Sequence, residues 1–182
     1  MSEMFSRRVF MRGLGVVAAA AALTACSSTN EAVNQALIEG AVGGIVAADC
    51  KIGRSRYWAA NATVPVNEIS FRIVMTNVSS KPVTLSGDNF ATTLDGTPIP
   101  PFNFSARDVG DADIWRTYDS LTIRPGEERS VALAYEISQP TYDSWYSSSR
   151  TVAVSFTCGN QRVTYTKNSR SDEITVSDIE IG

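Results

Sequence analysis

The stretch that decides the fold is NEISFRIVMTN, residues 67–77. Apolar side chains occupy alternate positions in it, at Ile69, Phe71, Ile73 and Met75. Successive side chains of a β-strand point to opposite faces of the sheet, so this period of two places all four on one face. The other face carries mainly polar side chains. The stretch therefore predicts a half-buried antiparallel strand.

The same alternation returns twice further along the chain, in residues 129–138 and in residues 151–158. The apolar set of the second run ends on Cys158. Between such runs lie dipeptides typical of tight turns, namely Asp95-Gly96, Pro125-Gly126 and Gly159-Asn160. Several short strands joined by turns, without a convincing long helix, predict an all-β antiparallel β-sandwich over residues 45–182.

The composition of the chain narrows its chemistry. It has 182 residues, enough for one domain, and it contains no histidine. Without imidazole there is no Ser-His-Asp or Cys-His machinery, no histidine-ligated metal and no histidine pH switch. We therefore expect no enzymatic activity and no cofactor.

The first 25 residues have the layout of an export signal. Basic residues precede an apolar run at residues 13–23, which is shorter than the roughly 20 residues that span a membrane. The sequence SRRVFMR at residues 6–12 resembles the twin-arginine export signal, with Arg7 and Arg8 as the arginine pair. We expect residues 1–25 to be removed after export.

The tetrapeptide Leu23-Thr24-Ala25-Cys26 resembles the bacterial lipobox, which implies that Cys26 carries the lipid. Residues 26–44 would then be a lipidated linker, whose later part forms a short helix or leads irregularly into the first strand. Removal of three Arg and one Glu leaves 157 residues and shifts the net charge from -3 to -5. This acidic balance disfavours nucleic acid, and the expected location is extracytoplasmic, anchored to the cell membrane by lipid.

The cysteine count supports the same location. Once Cys26 is assigned to the lipid, Cys50 and Cys158 remain, and an even pair in an exported chain is most simply a disulfide. Two free buried thiols are the alternative. Two thiolates without a CxxC spacing or histidine do not complete a zinc site, so no metal is expected there.

The central turns carry a resemblance to a family. Residues 77–83 read NVSSKPV, followed by Phe90, Asp95-Gly96 and the turn Pro125-Gly126-Glu127. This succession resembles the immunoglobulin-like domain of uncharacterised bacterial lipoproteins, over roughly residues 66–138. The resemblance implies an immunoglobulin-like sandwich that serves as an envelope-facing accessory or binding domain, without known catalytic residues.

Aromatic residues in two predicted loops are the candidate binding site. The first loop contains Trp115 and Tyr118, and the second contains Tyr142, Trp145 and Tyr146. Exposed Tyr and Trp stack on sugars or anchor peptides, because they combine apolar area with a polar tip. Alternatively, they cover the ends of the sandwich. If both loops lie at one end, they form a single acidic, aromatic surface.

Carboxylates in the first loop are a weaker candidate for a cation site. Asp108, Asp111 and Asp113 provide the oxygen ligands that calcium prefers, but their spacing is not that of an EF-hand loop. The alternative is a solvated loop neutralised by arginine.

Together these features predict a membrane-tethered lipoprotein that binds an unknown protein or glycan through its loops. Two other classes remain open: a hydrolase that uses carboxylates alone, and a structural subunit that lends an edge strand to an envelope assembly.

Overall fold

A computed structural model describes residues 40–57, 63–101, 103–109 and 115–182. The predicted export signal, the lipidation site Cys26 and most of the predicted linker lie outside these described residues. Residues 40–44 form a turn and a single bridge between Val42 and Ile45 rather than a helix. Ala41 and Val42 are already buried.

Thirteen strands and two short helical segments make up the described parts of the chain. They are β1 Ile45–Tyr57, β2 Val66–Asn77, β3 Val83–Leu85, a 3-10 turn Gly87–Asn89, β4 Phe90–Leu94, β5 Thr97–Ile99, β6 Asn103–Asp108, β7 Arg116–Thr117, β8 Leu121–Ile123, β9 Glu128–Glu136, α1 Gln139–Asp143, β10 Thr151–Cys158, β11 Gln161–Asn168, β12 Ile174–Val176 and β13 Glu180–Ile181. The three strands predicted from alternation are confirmed as β2, β9 and β10.

The strand order is that of an immunoglobulin-like sandwich. One sheet runs β1-β2-β9-β6-β7, and the other runs β12-β11-β10-β4-β5. In immunoglobulin letters these are A-B-E-D, extended by β7, and G-F-C-C′, extended by β12 and by β13, which also pairs with β11. β3 and β8 pair in a separate two-stranded sheet. The strand pairs within both sheets are antiparallel. The predicted all-β, immunoglobulin-like antiparallel sandwich is confirmed.

An aromatic cluster joins the two sheets at the centre of the core. Phe71 of the first sheet lies 6.1 Å from Phe90 and 5.8 Å from Tyr165 of the second, between ring centroids. Phe90 and Phe156 are 5.2 Å apart. These tilted contacts are the favoured geometry for aromatic pairs. They occupy the centre of the sandwich, where antibody domains carry a disulfide between sheets.

The turn that carried the family resemblance is organised by Asn77, which is fully buried. Its amide donates to the carbonyls of Lys81 and Ile123, each at 2.8 Å. Its side-chain oxygen accepts from the backbone N–H and the hydroxyl of Ser79. Because the whole amide is satisfied, Asn77 fixes the end of β2 against the turn that precedes β9.

The predicted disulfide between Cys50 and Cys158 is absent from the structure, in which both are free thiols. Cys50 lies in a bulge of β1 beside Tyr165 and Lys167, whereas Cys158 ends β10, opposite Gln161. Gln161 and Tyr165 are about 14 Å apart along β11, at about 3.4 Å per residue. A disulfide needs Cα atoms within about 7 Å of each other. Both cysteines were predicted to face the core, but their different positions along the strands keep the two thiols apart.

Candidate binding surface

The described aromatic residues of the two loops do not meet in the structure. The 109–120 segment follows β6, whose last residue Asp108 pairs with Arg129 near the start of β9. The 137–150 segment follows Glu136, the last residue of β9, which pairs with Glu68. Trp115 contacts Arg72, which pairs with Ala132 midway along β9, whereas Tyr142 and Tyr146 contact Arg54, whose partner Ile69 pairs with Tyr135 near the end of β9. Trp115 lies on the outer face of the sheet and Arg54 has the inward phase of β1, so the predicted single acidic, aromatic surface is wrong.

In the 109–120 segment, the aromatic side chains pack against the domain. The half-buried ring of Trp115 lies 5.5 Å from the guanidinium of Arg72 and 5.0 Å from that of Arg107, on the outer face of the first sheet. Tyr118 packs against the core, and its backbone N–H donates to the carbonyl of Phe104 at 3.0 Å. These contacts fit the alternative in which the aromatics cover the sandwich.

The acidic residues of this segment are only partly described. Asp108 is exposed and forms an ion pair with Arg129, which also pairs with Glu127. Asp111 and Asp113 lie outside the described residues. Within the described ranges, no three Cys, Asp or Glu side chains converge as a metal site would require.

At the opposite end, local sequence explains the start of the 137–150 segment. Ser138 caps helix α1 by accepting from the backbone N–H of Thr141, and Pro140 stands in the first turn, where its missing N–H costs nothing. Trp145 follows the helix and is only 2% exposed. This tryptophan was predicted as a binding residue, but it anchors the segment in the core.

The other two aromatic residues of this segment make cation–π contacts with arginines of β1. The ring of Tyr142 lies 4.2 Å from the guanidinium of Arg54 and 4.1 Å from that of Arg56. Tyr146 lies 4.6 Å from Arg54. Arg54 also donates to the Tyr142 carbonyl. Guanidinium groups at these distances are attracted by the electron-rich ring faces.

A hydrogen-bonded network continues from Arg56 into the sandwich. Arg56 Nε donates to Asn67 Oδ1 at 2.7 Å, and Asn67 Nδ2 donates to Gln139 Oε1 at 3.0 Å. Gln139 Nε2 in turn donates to the carboxylate of Asp143, which lies 3.6 Å from Arg56. The network holds α1 against the ends of β1 and β2.

Two further arginines fasten the end of the segment. Arg150 donates to Asp95 at 2.8 Å and to the hydroxyl of Ser144 at 3.0 Å. The hydrogen bond from Arg150 and one from the backbone of Thr151 lower the pKa of Asp95. Arg170 donates to the carbonyls of Tyr146, at 3.2 Å, and Ser147.

We call the surface formed by Arg54, Arg56, Tyr142, Tyr146 and Arg170 the arginine–tyrosine surface. Tyr146 is its most exposed aromatic side chain, at 61%. Exposed Ser147 and Ser149 lie beside it in the chain. The surface displays a ring, guanidinium groups and hydroxyls, all held by a rigid scaffold.

Sequence reasoning found the two tyrosines of this surface but not its arginines. Ile52, Arg54 and Arg56 alternate along β1 and oppose the inward-facing Phe71, Ile69 and Asn67 of β2. Arginine on the inward face at the end of a strand indicates that another segment must cover that end. This signal was available in the sequence once the phase of β1 was known.

The fold and this surface define an immunoglobulin-like β-sandwich with a loop surface at one end. No family model matches the chain, and the search of curated proteins finds no match. Among solved structures, it is similar to an uncharacterized beta-sandwich protein from Clostridium difficile, with 15% identity, a TM-score of 0.40 and coverage of 68% of this chain and 83% of that chain.

Two further solved structures are similar at comparable levels. One is a functionally unknown protein from Listeria monocytogenes, with 12% identity, a TM-score of 0.37 and coverage of 72% of this chain and 90% of that chain. The other is a protein from Archaeoglobus fulgidus, with 11% identity, a TM-score of 0.33 and coverage of 74% and 94%. In the described residues, no helix has the length and apolar character needed to cross a membrane.

Proposed function

We propose that the chain is a membrane-tethered, extracytoplasmic lipoprotein that binds a ligand without catalysis. The tether rests on the resemblance of residues 6–12 to a twin-arginine signal and of residues 23–26 to a lipobox. Several acyl chains on Cys26 would give stable attachment, because each buried methylene contributes about 0.8 kcal/mol.

The observation that carries the binding role is the composition and exposure of the arginine–tyrosine surface. Tyr146 is 61% exposed at the end of a rigid sandwich, beside arginine and serine. Tyrosine, serine and arginine also predominate in antibody-type binding loops, where a ring gives contact area at low entropic cost. A tether further raises the local concentration of such a surface near a ligand in the envelope.

Two other functions have less support. A hydrolase needs two carboxylates that face a substrate together, but Glu127 bonds Arg129 whereas Glu128 accepts from Thr76 at 3.2 Å. A strand-lending subunit needs an open, uncharged edge, and the edge strand β1 contains a bulge and two arginines, features that protect edges.

The tether is tested by growing cells with an alkyne analogue of palmitate. We expect label on the wild-type chain and none on the Cys26→Ala variant. Labelling of that variant, or an unlabelled wild-type chain in the soluble fraction, would reject the lipoprotein assignment.

Binding is tested by photo-crosslinking of the tethered protein in intact cells, with a benzophenone side chain at exposed position 147, since benzophenone inserts into C–H bonds of protein and sugar alike. We expect Tyr146→Ala to lose the adducts that the wild type forms. Val109→Ala is the matched control, because Val109 is also an exposed apolar residue but lies at the opposite end. Equal adducts in the wild type and Tyr146→Ala would reject this surface as the binding site.

A further inference from the structure

The arginine–tyrosine surface also indicates the chemical class of its ligand. We infer that it binds an acidic polysaccharide, with a sugar ring against Tyr146 and a sugar carboxylate between Arg54 and Arg170. This inference rests on the proposed binding function and adds the ligand class.

The first argument is the state of the two guanidinium groups. In the described chain, Arg54 and Arg170 have no carboxylate within ion-pair distance, and they donate only to main-chain carbonyls of residues 142, 146 and 147. Arg56 and Arg150, by contrast, lie beside Asp143 and Asp95. Arg54 and Arg170 therefore keep a positive charge that no acidic side chain offsets, next to one exposed ring.

The second argument concerns geometry. Arg54 lies 4.6 Å from the Tyr146 ring, and Arg170 donates to the carbonyl of the same residue at 3.2 Å. Guanidinium groups recognise carboxylates through paired N–H donors, and a tyrosine face stacks on the apolar face of a sugar. A sugar acid contains both features within one residue of the polymer.

The third argument separates a polysaccharide from a protein partner. A specific protein interface covers about 800 Å² per partner around an apolar core. The exposed large apolar residues of the described chain are instead divided between the two ends, with Tyr57, Val64 and Tyr146 at this end and Val109 and Ile181 at the other. Around Tyr146 the neighbours are serines and arginines, which suit the hydroxyls and carboxylates of a sugar polymer.

The test uses the lipidated protein in vesicles of zwitterionic lipid, with three soluble polymers as probes. Alginate supplies sugar carboxylates, dextran supplies neutral sugars, and poly-L-glutamate supplies carboxylates without sugar. We expect alginate to bind, dextran not to bind, and poly-L-glutamate to bind at least about tenfold more weakly than alginate, a difference of about 1.4 kcal/mol.

Matched variants locate the site. We expect Tyr146→Ala and Arg170→Gln each to weaken alginate binding about tenfold or more, whereas Tyr146→Phe keeps the ring and the binding. Arg162→Gln is the control, because Arg162 is also exposed but lies at the end of β11 that is distant from Arg170. Tyr146→Ala changes an exposed side chain, so it remains informative if Arg170→Gln unfolds.

Several results would overturn the inference. Equal binding of poly-L-glutamate and alginate would assign the surface to acidic peptides, and equal losses in Arg162→Gln and Arg170→Gln would indicate unspecific attraction. Absence of alginate binding would reject the ligand class. If Tyr146-dependent crosslinks still formed in cells, the proposed binding function would survive that failure; if those crosslinks were also missing, both proposals would fail.

Discussion

The 109–120 and 137–150 segments look alike in sequence but differ in structure. Each has tryptophan and tyrosine near charged residues, yet Trp115 lies on the outer face of a sheet, whereas Trp145 is buried in the core. In the second segment the tryptophan fastens the loop, and the following Tyr146 is exposed. From this difference we expect the buried Trp145 to hold the segment in place beneath the exposed Tyr146.

The largest expected effect comes from removing that buried aromatic. Trp145→Ala should lower the free energy of unfolding by about 3–5 kcal/mol, because it leaves a cavity beneath the segment. Trp115→Ala, the matched change in the other segment, should cost only about 1 kcal/mol. Urea denaturation of both variants measures the contrast, and equal losses would remove the proposed distinction between the segments.

The hydrogen-bonded network beneath α1 gives the next largest effect. Asn67 is 6% exposed and connects Arg56 to Gln139. Asn67→Ala leaves both partners without their bond, so it should cost about 1–3 kcal/mol. Amide hydrogen exchange should also rise in residues 139–145 and stay unchanged in residues 115–120. Faster exchange in both segments would show that the ends are not independent.

A pH-dependent effect follows from the ion pair of Asp95 and Arg150. The pKa of Asp95 is lowered in the folded protein, chiefly by Arg150, from an ordinary value of 3.8. The charged carboxylate therefore stabilises the fold above that value, and its contribution is lost as the pH falls through the lower folded value.

Asp95→Asn tests this contribution, since asparagine tolerates the turn at Asp95, where φ is 51°. We expect Asp95→Asn to lower Tm at neutral pH, and the difference from wild type to shrink as the pH falls below about 3.8. Thermal melts at both pH values check it. A difference that stayed constant or grew in acid would contradict the sign.

The smallest effect is expected at the opposite end. Asp108 is exposed, and its partner Arg129 keeps a second ion pair with Glu127. Asp108→Asn should therefore change the free energy of unfolding by no more than about 1 kcal/mol in urea denaturation. A loss as large as that of Asn67→Ala would show that this end is fastened as firmly as the other.

Most of the fold could be predicted from local sequence patterns, namely strand alternation and turn dipeptides. The alternation of residues 67–77 defined β2, and Asp95-Gly96 adopts the positive φ angles of 51° and 79° that a tight hairpin between β4 and β5 requires. Gly159 opens the β10–β11 hairpin with φ of 63°. Each of these features depends on neighbours in sequence, so sequence reasoning reached them.

The candidate site depended on contacts between distant parts of the chain. Arg54 meets the carbonyl of Tyr142 across 88 positions, and no local pattern specifies that meeting. The disulfide prediction failed for a related reason. An even number of cysteines, both predicted to face the core, does not determine where each cysteine lies along its strand. Trp145 was misassigned because aromatic composition does not distinguish an anchor from an exposed ring.

The most direct test of the central claim, that the ligand contacts the 137–150 end, is site-specific photo-crosslinking in intact cells. A photoreactive phenylalanine replaces Tyr146 in one variant and Val109 in another, so that each end carries the same probe at an exposed position. The account predicts ultraviolet-dependent adducts from position 146 and none from position 109. Adducts from position 109 alone, or from neither position, would contradict it.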